Sequence, residues 1–474
     1  MSITSFLLMR HELLLTLAML IILIAEIFTS QNSKKQLIPF SIILLGVVTA
    51  LGFIPVGEGT LFGGMYQTDA LRVFMKNIIN IGLFIIFLQS SEWLQKSHNS
   101  ERIPEFFILT LASTIGMNLM ISAGDFLLMY LGIEMATIPS ALMAAYERHK
   151  NQSAEAGMKL ILTSALSSGI LLFGLSMIYG VTGSIYFDDV QKEFLLHANF
   201  SLPALGLVFF ISGMAFKISL VPFHLWTADV YEGAPVSVTA FLSVLSKGAA
   251  VFVLMWVLWQ VFGQVEYLWS KMIFAISALT MTVGNLFAIR QNNMKRFLAF
   301  SSIAQAGFIL LGIMAPSATS MATIVFFLMI YIFTNLAAFG VVGIIANKTG
   351  LENISDYKGL YHTNPKLSLT LMLSMFSLAG IPPVAGFFGK FFLFSAVSSA
   401  GFYSLLIVAV LNAAISLYYY LLPVKAMFID KNKTPIAAIK TNRFDALAIG
   451  ICVVALITIG FASALFEYIV SISI

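Results

Sequence analysis

The sequence predicts an all-α polytopic membrane protein, and three observations carry that expectation. Of 474 residues, 59% are hydrophobic and only 10% charged, whereas soluble domains hold roughly 25% charged residues. Apolar runs of about 20 residues, long enough to cross a hydrocarbon core as a helix, recur along the whole chain. Lysine and arginine gather in the connections after every second run.

The runs give about fourteen transmembrane helices, near 13–29, 36–54, 70–91, 104–121, 125–145, 156–181, 202–223, 236–260, 270–290, 298–315, 319–347, 367–397, 402–428 and 444–470. The first, after Arg10, has no small-residue cleavage site behind it and reads as a span rather than a signal peptide. The fourth and fifth are parted only by Ser122–Asp125. Seventeen basic residues lie in connections that follow odd-numbered helices and five on the other side. Cytoplasmic loops carry the excess of positive charge, so both termini are expected outside a bacterial inner membrane.

Several functions are excluded early. One cysteine, Cys452, allows neither an internal disulfide nor a thiolate metal site. Of six histidines only His224 lies at membrane depth, so a bis-histidine haem has no ligands. No connection holds a phosphate-binding glycine loop or a hydrolase elbow. Chemistry, if any, belongs inside the membrane.

Two segments should break their helices. They are FKISLVPFHLW, Phe216–Trp226, with Pro222, and FSLAGIPPVAGFFGKF, Phe376–Phe391, with Pro382 and Pro383. Proline removes a donor and ends or kinks a helix, and such backbone is tolerated at membrane depth only when packed in protein or facing a wet cavity. The segments align at an offset of 160 residues, Phe216 with Phe376 and Pro222 with Pro382. Paired interruptions of this kind point to an inverted repeat with a site at its interface. The seventh and twelfth helices are then the broken ones, in two inverted repeats of five helices.

Charges at membrane depth cost about 2.5–3.5 kcal/mol each on insertion scales. This chain keeps Glu134, Lys159, Lys217, Lys247 and Lys390 within its apolar stretches. Glu134 is central in the fifth helix, Lys217 precedes Pro222, Lys247 is central in the eighth helix among small residues, and Lys390 follows Pro383. Lys159 starts the sixth helix just past Glu155, and a snorkelling stem would explain it equally well. His224 could cap the broken backbone or relay a proton. A carboxylate about 4 Å from an ammonium is worth roughly 4 kcal/mol at an effective dielectric of 20. That is enough to decide whether a lysine in an apolar site keeps its proton. Glu134 moving toward or away from Lys217 would form a switch, with Lys247 and Lys390 passing the proton through ordered water.

Three runs, FKISLVPFHLWTADVYEGAPVSVTAFLSVLSKGAA, NMKRFLAFSSIAQAGFILLG and GIPPVAGFFGKF, resemble the antiporter-like subunits of respiratory complex I, the proton-translocating NADH:quinone oxidoreductase. The resemblance covers about 104–428, with repeat halves near 104–262 and 268–428, inside one integral membrane domain over 1–474. It implies that Glu134 and Lys217 form a charge pair, Lys247 the central relay and Lys390 the far end of a proton path. It makes Lys159 similar to a further lysine of the family, though of the five charges Lys159 remains the one nearest to a bystander. Gln305 stands where some relatives have histidine, so no protonation role is assigned there. The resemblance also implies no redox chemistry and no cofactor in this chain: NAD, flavin, iron–sulfur clusters and quinone belong to partner subunits. Expected neighbours are a second antiporter-like subunit, small helical subunits and lipid, with no nucleic acid. The alternative is a subunit of a multi-subunit cation/proton antiporter or membrane-bound hydrogenase, distinguished by copurification with an NADH-oxidising arm.

Overall fold

The computed structural model describes residues 6–96, 98–197, 201–432 and 434–473. Among these, thirteen helices are long and apolar enough to cross a membrane, one fewer than expected. The difference lies at 367–397, where two 15-residue helices, Pro365–Ala379 and Ala385–Ser399, replace one long span. The principal helices are α1 Arg10–Phe28, α2 Leu37–Gly52, α3 Ala70–Leu94, α4 Ile103–Ile121, α5 Phe126–Ala144, α6 Asn151–Thr182 and α7 Ser201–Ile218. After them come α8 Leu225–Gly233, α9 Val236–Gln260, α10 Glu266–Ile289, α11 Met294–Ile313 and α12 Ala318–Thr349. The last four are α13 Pro365–Ala379, α14 Ala385–Ser399, α15 Tyr403–Phe428 and α16 Arg443–Phe461. A short antiparallel hairpin, β1 Gly59–Leu61 and β2 Tyr66–Thr68, lies between α2 and α3.

The chain divides into two compact units. The first holds Met1–Phe87, Leu94–Ser219 and Leu245–Met272; the second holds Leu88–Trp93, Leu220–Val244 and Ile273–Ile474. The segment Leu220–Val244 thus belongs to the second unit although the chain on both sides of it, up to Ser219 and from Leu245, belongs to the first.

In the first unit α4 and α5 pack closely, and glycine makes that possible. A Cβ on Gly116 would sit 2.5 Å from the Ala136 amide nitrogen, and one on Gly132 would sit 2.6 Å from that of Met120. Small residues let helix backbones approach where lipid supplies no hydrophobic drive. Gly132→Val should therefore cost about 1–3 kcal/mol by overpacking and lower the amount of this subunit found in membranes. Gly450→Val, at a site with open space around it, should leave that amount unchanged on an immunoblot. In the second unit α12 is buried along its length among α13, α14 and α16. A helix apolar all round belongs in such a place.

Of the five basic residues expected on the non-cytoplasmic side (Arg10, Arg72, Lys76, Lys192 and Lys271), two are not loop residues. Arg72 and Lys76 lie buried in the first turns of α3. The hydropathy of 70–91 marked the span correctly but gave no sign that its charged end turns inward.

Candidate functional site

The first interruption begins where α7 ends at Ile218. Ser219 adopts a positive φ of 66° and its amide donates to the Phe216 carbonyl at 3.0 Å. Pro222 follows, and helix resumes only at Leu225. Lys217 is therefore in the last turn of α7, where the helix dipole favours a cation. Its Nζ lies 3.9 Å from Glu134 Oε1. It also donates to Thr137 Oγ1 at 3.1 Å and Ser168 Oγ at 3.4 Å. Ser168 in turn donates a short hydrogen bond to Glu134 Oε1. The carboxylate and ammonium are thus joined through a shared hydroxyl as well as facing each other directly. At 3.9 Å the pair is looser than a contact ion pair, whose charge-assisted bond would be about 2.7–2.9 Å.

The two hydroxyls were missed in the sequence. Thr137 had a usable signal, since three residues after Glu134 on a helix it must share that face. Ser168 had none beyond being a polar residue in an apolar helix.

Lys247 is 2% exposed and lies in the first unit, where Lys247–Gln260 packs against α4 and α7. The turn immediately before it, Leu242–Ser246, is a π-helical widening of α9. Such bulges interrupt the regular hydrogen-bond ladder and recur at functional sites. Lys159 pairs with Glu155 at 2.7 Å on an exposed face of α6, 40% and 61% of the two side chains being open. His224 is buried at the N-cap of α8, but its side chain makes no capping hydrogen bond.

The second interruption is built differently. Gly380, at φ 85°, ends α13 in a Schellman turn, with the Ile381 amide donating to the Phe376 carbonyl at 2.9 Å and the Gly380 amide to that of Ser377 at 3.1 Å. Two of the last four carbonyls remain. Lys390 Nζ takes both, Leu378 at 2.7 Å and Ala379 at 3.2 Å. Gln305 Nε2 shares the Leu378 carbonyl at 2.9 Å and also donates to the Tyr420 hydroxyl at 3.0 Å. The approach that permits this is close: a Cβ on Gly386 would fall 1.9 Å from the Ser377 carbonyl oxygen. Glu134, Lys159, Lys217 and Lys247 thus belong to the first unit and His224 and Lys390 to the second. Among the described residues no group of three or more His, Cys, Asp or Glu could hold a metal.

This arrangement defines a class, the multi-span helical membrane proteins that keep a carboxylate–lysine pair and further lysines within their apolar helices. The chain belongs to the NADH:quinone oxidoreductase/Mrp antiporter transmembrane family, whose model matches residues 123–416. It is 47% identical over 468 residues to NADH-quinone oxidoreductase subunit N of Phocaeicola vulgatus, covering 98% of each chain. A chain in the structure of respiratory complex I from Thermus thermophilus with bound aureothin superposes with a TM-score of 0.80 at 27% identity, over 96% of this chain and 97% of that one. A chain of the Mrp complex from Dietzia sp. superposes at 0.87 and 21% identity, over 100% of this chain and 97% of that one. That last likeness is one of fold alone.

Proposed function

We propose that this chain is a proton-translocating, antiporter-like membrane subunit of NADH-quinone oxidoreductase, passing protons along Glu134, Lys217, Lys247 and Lys390. The observation that carries the reading is Lys217 held 3.9 Å from Glu134 with Thr137 and Ser168 hydroxyls between and beside them. A small displacement there decides whether the lysine has a contact ion pair or only neutral partners. The π turn before Lys247 and the capped end of α13 at Lys390 supply two further places where backbone polarity is concentrated at a buried amine. Lys159, paired with Glu155, and His224 are the secondary members of the path.

The subunit N and complex I relatives support the wider setting. Redox energy arrives from partner subunits that hold NADH, flavin, iron–sulfur clusters and quinone, and this chain packs beside another antiporter-like subunit and small helical subunits. The lysine-rich connections face the cytoplasm of a bacterial inner membrane and the proton leaves on the opposite face. The segments 219–224 and 380–384 are the broken centres of the seventh and twelfth spans of two inverted five-helix repeats, a reading supported by the 160-residue offset.

Lys247→Ala in the assembled complex tests the proposal. Inverted membrane vesicles should keep complex assembly but lose most NADH-driven acidification, on the order of ten-fold, because the relay loses its central amine. Undiminished acidification per NADH oxidised would overturn the relay.

A further inference from the structure

A second buried charge pair lies in the first unit, outside the residues 123–416 that the family model matches. Lys76 Nζ, on α3, meets Glu12 Oε1, on α1, at 2.6 Å, with side-chain exposures of 0% and 4%. Tyr66, on β2, touches both: its hydroxyl accepts from Lys76 at 2.8 Å and faces Glu12 Oε2 at 3.0 Å and the Leu8 carbonyl at 3.2 Å. A contact ion pair alone would clamp α1 to α3. The phenol beside the pair adds what a clamp does not need, an O–H that joins Lys76 to the second oxygen of Glu12 and offers a proton route alongside the direct contact. Burial first, and then the Glu12 carboxylate, hold the Tyr66 phenol well above its ordinary value, so the hydroxyl keeps its proton and can only relay.

The strand that carries Tyr66 also borders an open cleft and is tied to the helices of the first unit, with the Gln67 side chain on the face opposite Tyr66. Gln67, the next residue of β2, lines an open polar cleft of about 530 Å³ with Asp188 and Asp189. Arg72 donates to Gln67 Oε1 at 3.1 Å and to Asp69 at 2.7 Å, and its guanidinium lies 4.1 Å from the ring centre of Trp256 on α9. Trp256 is nine residues beyond Lys247 on the same helix, roughly 13 Å at 1.5 Å per residue. The strand is also tied to the linker that leads into α5, the helix of Glu134. The Gln67 amide donates to the Ser122 carbonyl at 2.8 Å and the Gly124 amide to the Met65 carbonyl at 2.7 Å.

We infer that Glu12, Tyr66 and Lys76 form a second proton-holding site of the first unit. The Lys76 ammonium gives a proton to the Tyr66 oxygen as the Tyr66 hydroxyl proton passes to Glu12. Ion pair becomes neutral pair, with no net charge moved out of the apolar site. Glu12 then releases its proton and the Lys76 amine takes another, which restores the ion pair. The inference rests on the proton-translocating reading above.

Tyr66→Phe tests it, because it removes one oxygen and leaves the 2.6 Å ion pair intact. In the assembled complex, protons moved per NADH oxidised should fall at least two-fold with subunit abundance unchanged. A second variant, Glu12→Leu with Lys76→Leu, replaces the ion pair with apolar packing. If the pair only clamps helices, this variant assembles and pumps normally, which overturns the inference; assembly with lost pumping supports it. Should the double variant not assemble, Tyr66→Phe decides: a normal ratio overturns the inference and a lowered one supports it. Lys217→Ala is measured in parallel. Loss of pumping there with full pumping in Tyr66→Phe sinks only this triad, while full pumping in Lys217→Ala sinks the relay on which it rests.

Discussion

Lys217→Ala is expected to abolish proton translocation by the assembled complex while leaving the subunit in the membrane. The side chain meets Glu134, Thr137 and Ser168, and its loss leaves Glu134 with the Ser168 hydroxyl and no cation. The lost attraction is roughly 4 kcal/mol at 4 Å and an effective dielectric of 20, a factor of several hundred in any equilibrium that depends on it. Glu134 is about one quarter exposed, so its carboxylate has some access to relief and the fold need not fail with the pair. Glu134→Gln should behave differently in detail. The amide oxygen can still accept from Ser168, so local geometry survives and pumping falls because the negative charge is gone. Acidification of inverted vesicles, divided by NADH oxidation in the same vesicles, reads both variants. Equal ratios in wild type and Lys217→Ala would remove the charge pair from the mechanism.

Much of the architecture was legible because lipid leaves few choices. A backbone that cannot bond to water must form long helices, so apolar run length located α1 to α7 and α9 to α12 within a few residues, while the short α8 fell between two runs. The charged candidates were legible for the same reason, since each is costly where it sits. What sequence could not reveal depends on where side chains turn. Lys76, near the start of its apolar run, reads as one of the five basic residues outside the cytoplasmic connections, yet it is buried against Glu12. Run length carries no information about which neighbour waits inside. Ser168 likewise becomes informative only once α6 lies beside Glu134 and Lys217. The π turn before Lys247 follows no residue rule at all, since Leu242–Ser246 would serve equally well in a regular helix.

The 160-residue offset is instructive in another way. It pairs Pro222 with Pro382, yet the lysines on either side are not equivalent. Lys217 precedes its interruption and spends its charge on side chains of α5 and α6. Lys390 follows its interruption and reaches back across it to main-chain carbonyls of α13. A lysine among hydroxyls and a carboxylate can lose a partner by a small shift of one side chain. A lysine held by two carbonyls of a helix end can lose its partners only if the end itself moves. The first is suited to sensing a charge, the second to responding to a change in backbone geometry.

That difference sets the expectation for Lys390→Glu, which should lose function even though glutamate also titrates. The Schellman turn satisfies Phe376 and Ser377, so Leu378 and Ala379 depend on donors from outside the backbone. A glutamate there, if ionised, donates nothing and meets the negative end of a helix carrying roughly half an elementary charge. If protonated, it offers a single donor to two acceptors. Gln305 still reaches Leu378 at 2.9 Å, which leaves Ala379 as the carbonyl that goes unpaired, at about 1–3 kcal/mol. Lys390→Met removes the donors without adding repulsion, and Lys390→Arg keeps both charge and donors. The expected order of pumping per NADH oxidised is wild type, then Arg, with Met and Glu at least ten-fold lower. Glu should also lower the amount of subunit in membranes most, since repulsion adds to the missing cap. If Glu pumped as well as Arg, proton exchange alone would matter at this position and the capped helix end would be incidental to transport.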